Sequence, residues 1–238
     1  MTFEDYKIGV FTYDFPHKKT YEGVMFLILN DIIPDVIFGA PKVDLNIETC
    51  KIRAYTKGMN YMHPRDIATK LNLPYVSLPH NNPDIKTIIE TLDLDIGIIL
   101  GARIINKEII DSFNIGIINS HPGLLPDMAG LDPVQWAILE DTSMGVSIHF
   151  INDKIDQGIL LEKQQVPVFK DDTFVDILLR IQNEELHLLV KTIKDLKYYL
   201  KEKARPLETA NYHKGVPKER EEELLIKFKK YKEKWAEN

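Results

Sequence analysis

Short apolar runs alternate with helical patterns through the first half of the chain. Such runs occur at 7–13, 36–39, 75–78, 95–100 and 115–118. Their length and apolar character are typical of strands that are buried on both faces. Helices are predicted between them, at 21–30, after Pro64, after the Asn82-Pro83 pair and at 107–112, since proline and asparagine favour helix starts. Strands that alternate with helices at this spacing predict parallel βαβ units.

The pattern changes after residue 130. Asp132-Pro133 predicts a cap and the first turn of a helix through about Leu139. The run 145–151 alternates between apolar and polar residues, and 159–169 is predicted to return as a second strand after a turn at 152–158. Thr173-Phe-Val-Asp176 resembles a capping box at the start of a long helix, whose apolar stripe reaches Leu200 before Pro206 ends it.

These elements predict an α/β fold: a Rossmann-like, mostly parallel twisted sheet with helices on both faces, plus a small C-terminal helical extension. We assign the main domain to 1–205 and the extension to 206–238. The last helix begins at Pro217 and mixes charges of both signs, so we expect it to be a solvated flank or an interface element.

Composition narrows the functional classes. The formal net charge of −6 gives no general attraction to nucleic acid or to an anionic membrane. The single cysteine, Cys50, excludes an intramolecular disulfide and a multi-cysteine metal site. The N-terminus shows no secretory signal pattern, and no apolar run reaches the length that crosses a bilayer. We therefore expect a cytoplasmic protein with no nucleic-acid or membrane partner.

The loop at 14–20 follows the first predicted strand, where a nucleotide-binding fold often carries a glycine-rich phosphate loop. It contains no glycine, so a GxGxxG interpretation fails. Lys18 and Lys19 could still meet a phosphate as point charges, but a solvated loop is the favoured interpretation.

Polar side chains that could take part in binding or catalysis follow the run at 115–118. Asn119 and His121 are two residues apart, and Pro122 restricts His121 to extended geometry, so both side chains are predicted on one side of the backbone. They offer a neutral hydrogen-bond donor and a titratable one at the carboxyl end of a strand, where α/β sheets bind ligands. Taken singly, each is more typical of a turn cap or of packing.

Two further motifs change this view. Gly145-x-Ser-x-His149-Phe and Asp156-x-Gly158 follow in order. With Asn119-Ser-His-Pro-Gly-Leu-Leu-Pro126, this set resembles the formyltransferases that use 10-formyltetrahydrofolate, although Gly123 stands where that family commonly has serine. The likeness runs from about Leu100 to Val168. It implies a Rossmann-like catalytic domain, 10-formyltetrahydrofolate as co-substrate, no metal, and a catalytic trio of Asn119, His121 and Asp156.

The chemistry of those three side chains agrees with the resemblance. A primary amine that attacks a formyl carbon produces a tetrahedral oxyanion, which the Asn119 amide and a protonated His121 can stabilise. A nearby carboxylate favours the imidazolium form and can accept the proton that leaves the amine. Asp156 is the candidate for both tasks. His149 either supports the trio or is a hydrogen-bonded histidine of the sheet.

The resemblance also implies two sets of binding positions. The folate is expected mainly on backbone groups of two segments, which comprise Leu100, Arg103, Ile104, Ile105, Asn152, Asp153 and Lys154. We place Arg103 beside Asn119 at the carboxyl edge of the sheet. The acceptor substrate is expected at Pro122, Met128, Ala129, Gly130 and Tyr212.

Departures from the family pattern indicate the acceptor. The loop at 14–20 lacks the phosphate loop of the glycinamide-ribonucleotide branch. Asp127-Met-Ala-Gly130 is acidic and apolar where the methionyl-tRNA branch has a basic loop and a further C-terminal domain. The resemblance therefore points to sugar-nucleotide N-formyltransferases, whose acceptor is the amine of a nucleotide-linked amino-dideoxy sugar.

Other interpretations remain open. Water could be the acceptor, as in 10-formyltetrahydrofolate hydrolysis, or another small amine such as a purine precursor. His121, His149 and Asp156 could form a two-histidine, one-carboxylate metal site, although their spacing matches no metal motif. A catalytically idle binding module is a third class. A homodimer is the expected assembly.

Overall fold

The computed structural model describes residues 6–44, 50–54, 59–207 and 211–237. An eight-stranded sheet forms its centre, in the spatial order β10-β8-β7-β5-β4-β1-β2-β3. Its strands are β1 (Ile8–Tyr13), β2 (Val36–Ala40), β3 (Tyr75–Ser77), β4 (Ile96–Ile99), β5 (Gly116–His121), β7 (Gly145–Phe150), β8 (Ile159–Gln165) and β10 (Arg205–Pro206). The first five pair in parallel, and the last three are antiparallel additions on one side. The predicted α/β, mostly parallel sheet is confirmed.

Helices connect these strands and cover the sheet. They are α1 (Lys18–Leu29), α2 (Pro64–Leu71), α3 (Pro83–Leu92), α4 (Lys107–Ile110), α5 (Pro133–Leu139), α6 (Phe174–Lys194), α7 (Leu196–Tyr198) and α8 (Glu221–Trp235). The Asn82 side chain caps α3, and Thr173 and Asp176 form the predicted capping box on α6. The helix α1 starts at Lys18, earlier than predicted, because the His17 side chain accepts from the Thr20 N–H and caps it.

Two strand boundaries differ from the predictions. The strand β5 continues through His121 instead of ending at residue 118, since β7 pairs with it as far as His121 and Ser147. The segment predicted as one strand at 159–169 is two, β8 and the short β9 (Val168–Phe169), with Pro167 before the second. Proline cannot donate to a strand ladder, which explains the break.

The predicted long apolar helix also divides. The helix α6 ends at Lys194, and the chain continues as α7 and a π-helical turn, Tyr199–Lys203, before β10. Leu200, which was expected on the buried stripe, is 39% exposed. The change of helical pitch moves side chains off the stripe.

The C-terminal segment packs against the rest of the protein. Its short strand β11 (Tyr212–His213) pairs with β6 (Ala129–Gly130), and β12 (Ala236–Glu237) pairs with β9. The helix α8 lies on α5 and buries Leu224, Phe228 and Tyr231 in the main apolar cluster. The helix α8 is therefore more than a solvated flank, although Leu225 and Ile226 are exposed, and a role at an interface stays a prediction. The division at residue 205 stays a prediction.

Both faces of β7 are buried, including Ser147 and His149 at 0% exposure. One buried face of this strand is therefore apolar and the other is polar. Neither face is exposed to solvent. Across the described ranges, no helix combines the length and apolarity needed to span a bilayer.

Candidate active site

Asn119 and His121 lie on one face of the end of β5. The neighbouring strand β4 ends opposite Asn119, at Ile99. Asn119 is half-buried, whereas His121 is 4% exposed. The imidazole is therefore held inside the protein and the amide is nearer to its surface.

His149 on β7 pairs with Asn119 across the sheet. Its Nδ1 faces the carbonyl oxygen of Gln157 at 3.2 Å, and a carbonyl only accepts, so Nδ1 carries the proton. Its Nε2 then accepts from the Asn119 amide nitrogen at 3.2 Å. The pKa of His149 is lowered to about 4, chiefly by burial and in smaller part by nearby His121, while Asp156 opposes the change. Neutral His149 thus orients the Asn119 amide and uses one of its two hydrogens.

Both ring nitrogens of His121 face acceptors. Nε2 lies 2.6 Å from the carbonyl oxygen of Met128 and donates to it. Nδ1 lies 3.4 Å from Oδ1 of Asp156. A ring protonated on both nitrogens would be satisfied on both sides, so the predicted oxyanion-stabilising role requires the Met128 carbonyl to leave Nε2.

Asp156 holds two parts of the site together. Its Oδ1 faces His121, and its Oδ2 accepts from the Gly130 N–H at 2.7 Å. The backbone of Asp156 is left-handed, with φ 51°, a conformation that Asp and Asn tolerate better than most residues. Gly130 has φ 101°, and a Cβ there would lie 2.1 Å from the His213 carbonyl oxygen.

The loop between His121 and Gly130 is tied down at several points. The hydroxyl of Ser147 donates to the Gly123 carbonyl at 2.8 Å and accepts from the Leu125 N–H at 2.9 Å. A Cβ on Gly123 would lie 2.7 Å from the Met128 carbonyl oxygen and 2.9 Å from His121 Nε2. The missing side chain at Gly123 is therefore what allows the Met128 carbonyl to reach the His121 imidazole.

The two predicted folate segments lie close to each other. Ile105 is buried in a second apolar cluster, against which Ile151 packs. The pKa of Lys107 is raised chiefly by its hydrogen bond to Asp111 and in smaller part by the Asp153 carboxylate. Asp153 thus approaches the start of α4, directly after the first segment.

Individual positions in these segments differ in what they can offer a ligand. Leu100 is fully buried, and its N–H and carbonyl bond to Phe11 and Thr20. Ile104 is 67% exposed, although its carbonyl accepts from Asn81. Asn152, Asp153 and Lys154 are exposed, and the Asn152 side chain accepts from the Lys154 N–H to form the turn. A cavity of about 600 Å³ is lined by Asn152 together with residues near the amino end of β5, the end of β7 and the start of β8.

Arg103 does not lie beside Asn119 as predicted. Its guanidinium donates to the Pro41 carbonyl oxygen at 2.7 Å, after β2, on the opposite side of β4 from β5. The prediction placed Arg103 correctly at the carboxyl edge of the sheet. The direction of its side chain along that edge is set by the Pro41 carbonyl, to which it donates.

The predicted acceptor positions surround the loop that contacts His121. Pro122 and Gly130 are half-buried, while the side chains of Met128 and Ala129 are buried at 3% and 1% exposure. Met128 therefore presents its backbone carbonyl to the site. Tyr212 pairs with Ala129 through β11 and β6 and is 46% exposed, so its ring is available beside this loop.

The two lysines of the loop at 14–20 have carboxylate partners. Lys18 pairs with Glu22, and Lys19 bonds to Glu185 at 2.7 Å. Both belong to the first turn of α1 and not to a solvated loop. Burial lowers the pKa of the capping His17 to about 4, and Lys19 contributes to this change.

Several supporting residues had no sequence signal. Glu185 is in the middle of an apolar stripe, and His213 lies far along the chain. The His213 ring contacts the Ala129 carbonyl at 3.3 Å and Glu140 at 2.9 Å, which fixes β6. Ser147 does have a sequence signal, because it lies within the Gly-x-Ser-x-His motif.

The three side chains of the alternative metal site lie close together, but they already form hydrogen bonds with other groups of the protein. Both ring nitrogens of His149 are hydrogen bonded, and His121 Nε2 donates to Met128. Among the residues that the structure describes, no group of three or more His, Cys, Asp or Glu has the geometry of a metal site.

The family of the chain follows from comparison with known proteins. The family model described as formyl transferase matches residues 57–193, which is more than half of the chain. The chain therefore belongs to the formyl transferase family. The matched region contains Asn119, His121 and Asp156.

Curated relatives cover several acceptors. The methionyl-tRNA formyltransferase of Fusobacterium nucleatum is 32% identical over 153 residues, which are 62% of this chain and 48% of that protein. The phosphoribosylglycinamide formyltransferase of Haemophilus influenzae is 31% identical over 108 residues, 44% of this chain and 51% of that one. The chain spans about half the length of these relatives.

Solved structures share the fold. A sugar N-formyltransferase from Shewanella sp FDAARGOS_354 has a TM-score of 0.59 at 20% identity and covers 93% of this chain and 87% of its own. The phosphoribosylglycinamide formyltransferase of Streptococcus pneumoniae has a TM-score of 0.62 at 18% identity and covers 81% and 99%. At this identity the likeness shows the fold alone.

Proposed function

We propose that the protein transfers the formyl group of 10-formyltetrahydrofolate to the primary amine of a nucleotide-linked amino-dideoxy sugar. The observation that carries the proposal is the convergence of Asn119, His121 and Asp156 at the carboxyl end of β5, where His121 Nδ1 lies 3.4 Å from Asp156 Oδ1. Family membership supports formyl transfer, and formyl-tetrahydrofolate is the donor associated with that family.

The residues present suit a formyl donor. The Met128 carbonyl oxygen, 2.6 Å from His121 Nε2, shows that this nitrogen can donate to a carbonyl oxygen. A formyl oxygen is the same kind of acceptor. The exposed turn of Asn152, Asp153 and Lys154 and the neighbouring Ile104 are the surfaces proposed to hold the folate.

Each member of the trio has a separate task in this proposal. Bound 10-formyltetrahydrofolate supplies the carbon that the amine attacks. Asn119, aimed by neutral His149, donates its second amide hydrogen to the oxygen that gains negative charge. His121 donates to the same oxygen from Nε2 once the Met128 carbonyl oxygen has moved away from that nitrogen. Asp156 accepts the proton that the amine loses and can return it to the folate nitrogen, so that the bond between that nitrogen and the formyl carbon breaks and tetrahydrofolate leaves.

Three features support a sugar-nucleotide acceptor. The loop at 14–20 has no glycine, and its lysines are paired with Glu22 and Glu185. The loop near the imidazole contains Asp127 and apolar residues, which suits RNA poorly. The exposed Tyr212 ring beside β6 offers a surface on which a nucleotide base can stack.

The test is an acceptor panel with 10-formyltetrahydrofolate as donor. It contains dTDP-, UDP- and GDP-linked amino-dideoxy sugars, glycinamide ribonucleotide, charged methionyl-tRNA and a sample with water alone, and tetrahydrofolate release is measured. We expect release with at least one nucleotide sugar, accompanied by a formylated product in mass spectrometry.

Other results would redirect the proposal. Efficient transfer to glycinamide ribonucleotide would favour a purine precursor, and transfer to tRNA would refute the sugar assignment. Tetrahydrofolate release with water alone would indicate a hydrolase. No release in any sample, together with folate binding, would indicate a binding module.

A further inference from the structure

A partly buried ion pair contacts β5 from the side opposite to the trio. Ser120 lies between Asn119 and His121, so its side chain points to the other face of the sheet. Its hydroxyl donates to Glu185 Oε1 at 3.1 Å, and its carbonyl oxygen accepts from Lys19 Nζ at 3.1 Å. Lys19 and Glu185 also bond to each other at 2.7 Å. One residue is thus held through both its side chain and its backbone.

The end of β5 needs such support. Pairing with β4 stops at Asn119, while pairing with β7 continues to His121. Beyond Asn119 the strand therefore has a neighbouring strand on one edge only. Lys19 comes from the first turn of α1 and Glu185 from the middle of α6, so two helices anchor the segment that β4 no longer supports.

We propose that Lys19 and Glu185 are positioning residues for formyl transfer, acting through Ser120 to fix Asn119 and His121. This inference rests on the proposed function. The Glu185 side chain is 4% exposed and that of Lys19 is 29% exposed, and such a partly buried ion pair contributes little net stability compared with apolar packing. Its hydrogen bonds do fix geometry, and a shift of about 1 Å at a catalytic group can lower turnover about a hundredfold.

A competing role is visible in the structure. Lys19 and Glu185 line a cavity of about 430 Å³, together with His17, Lys18, Glu22 and others. A ligand in that cavity could contact the pair directly. Contact with a substrate would appear mainly in KM, whereas positioning of the trio appears in kcat.

Kinetics separate the two roles. In Lys19→Met and Glu185→Leu we expect kcat to fall about 10- to 100-fold while the acceptor KM changes less than about threefold. Glu185→Gln keeps an oxygen that accepts from Ser120 and Lys19, so it should retain most of the activity. Lys18→Met is the matched control, since Lys18 lies on the same turn and cavity but pairs with Glu22. A raised KM with unchanged kcat would overturn the positioning role.

A second measurement does not depend on turnover. The His121 Nε2 proton is buried and bonded to the Met128 carbonyl, so its exchange with water is expected to be slow in NMR spectra. In Lys19→Met and Glu185→Leu, exchange should accelerate at least about tenfold, and in Lys18→Met it should not change. Unchanged exchange in the first two variants would refute the inference even if formyl transfer is confirmed.

A milder variant, which removes only the Ser120 hydroxyl, tests the inference if Lys19→Met or Glu185→Leu folds poorly. Ser120→Ala keeps the Lys19–Glu185 pair and the contact of Lys19 with the residue 120 carbonyl, so we expect a smaller loss of kcat. Combined with Glu185→Leu it should add no further loss, because both changes remove the same bond. Fully additive losses would contradict action through Ser120. Absence of formyl transfer in the wild type would refute the proposed function and leave the exchange test standing.

Discussion

The pH dependence of stability should report the buried state of His149. Its pKa is about 4 in the folded protein, against an ordinary value of 6.5. Above pH 6.5 the ring is neutral in both the folded and the unfolded state. It therefore does not make the free energy of unfolding depend on pH in that range. As the pH falls from 6.5 to 4, the unfolded chain binds a proton that the folded protein does not, so the free energy of unfolding decreases.

The size of this effect follows from the pKa difference. Each tenfold difference in acidity corresponds to about 1.4 kcal/mol, so His149 alone should remove about 3 kcal/mol of stability between pH 7 and pH 4. At pH 5 about 2 kcal/mol of this loss should already be present. That is a large fraction of the 5–15 kcal/mol that is typical of folded domains.

The assay is urea unfolding of wild type and His149→Gln at several pH values from 7.5 to 4.5, followed by tryptophan fluorescence. The variant loses bonds to Asn119 and Gln157, so we expect it to be less stable at pH 7. The difference between the two proteins should then shrink as the pH falls, because only the wild type has this titration. His187→Gln, on an exposed part of α6, is the control for removal of a histidine. Parallel curves for wild type and His149→Gln would show that His149 is not held neutral.

Three further predictions concern the site itself. Asn119→Ala, His121→Asn and Asp156→Asn should each lower formyl transfer at least about a hundredfold in a tetrahydrofolate-release assay, with little change in folate binding by calorimetry; near-normal turnover removes that residue from the mechanism. Gly123→Ala should displace the Met128 carbonyl from His121 and lower the unfolding free energy by about 1–3 kcal/mol in urea, since its Cβ has no room; unchanged stability would show that the loop adapts. Tyr212→Ala should raise the KM for the nucleotide sugar about tenfold and leave kcat nearly unchanged, whereas Tyr212→Phe keeps the ring and should resemble wild type; equal KM values in all three proteins would argue against base stacking.

Local signals in the sequence determined much of the fold. The capping box of Thr173 and Asp176 and the cap at Asn82 act over two or three residues, so they are visible without tertiary structure. The continuous apolar runs that became β1, β2 and β4 follow from burial on both faces, a property of the run itself. The trio could be named from its motifs, because their order and spacing were specific enough to indicate the family.

Boundaries and exposures needed the neighbours of each segment. Asn119, Ser120 and His121 have no apolar character, yet they belong to β5 because β7 supplies partners for their backbone groups. The helix α8 carries mixed charge, and its packing on α5, with the contact of Phe228 and Phe174 of α6, shows which residues are buried. Arg103 turned towards Pro41 because an acceptor lies there. None of these partners is near in sequence.

The protonation and hydrogen bonding of the candidate site residues depended most on tertiary structure. His149 is 30 residues from Asn119, and their contact, with the Gln157 carbonyl on the other nitrogen, sets the proton on Nδ1. The Met128 carbonyl reaches His121 because Gly123 has no side chain and because Gly130 is bound to Asp156. A sequence shows which side chains can donate or accept a proton. The distances that decide which of them do so arise only when strands and loops that are remote in the chain are packed together.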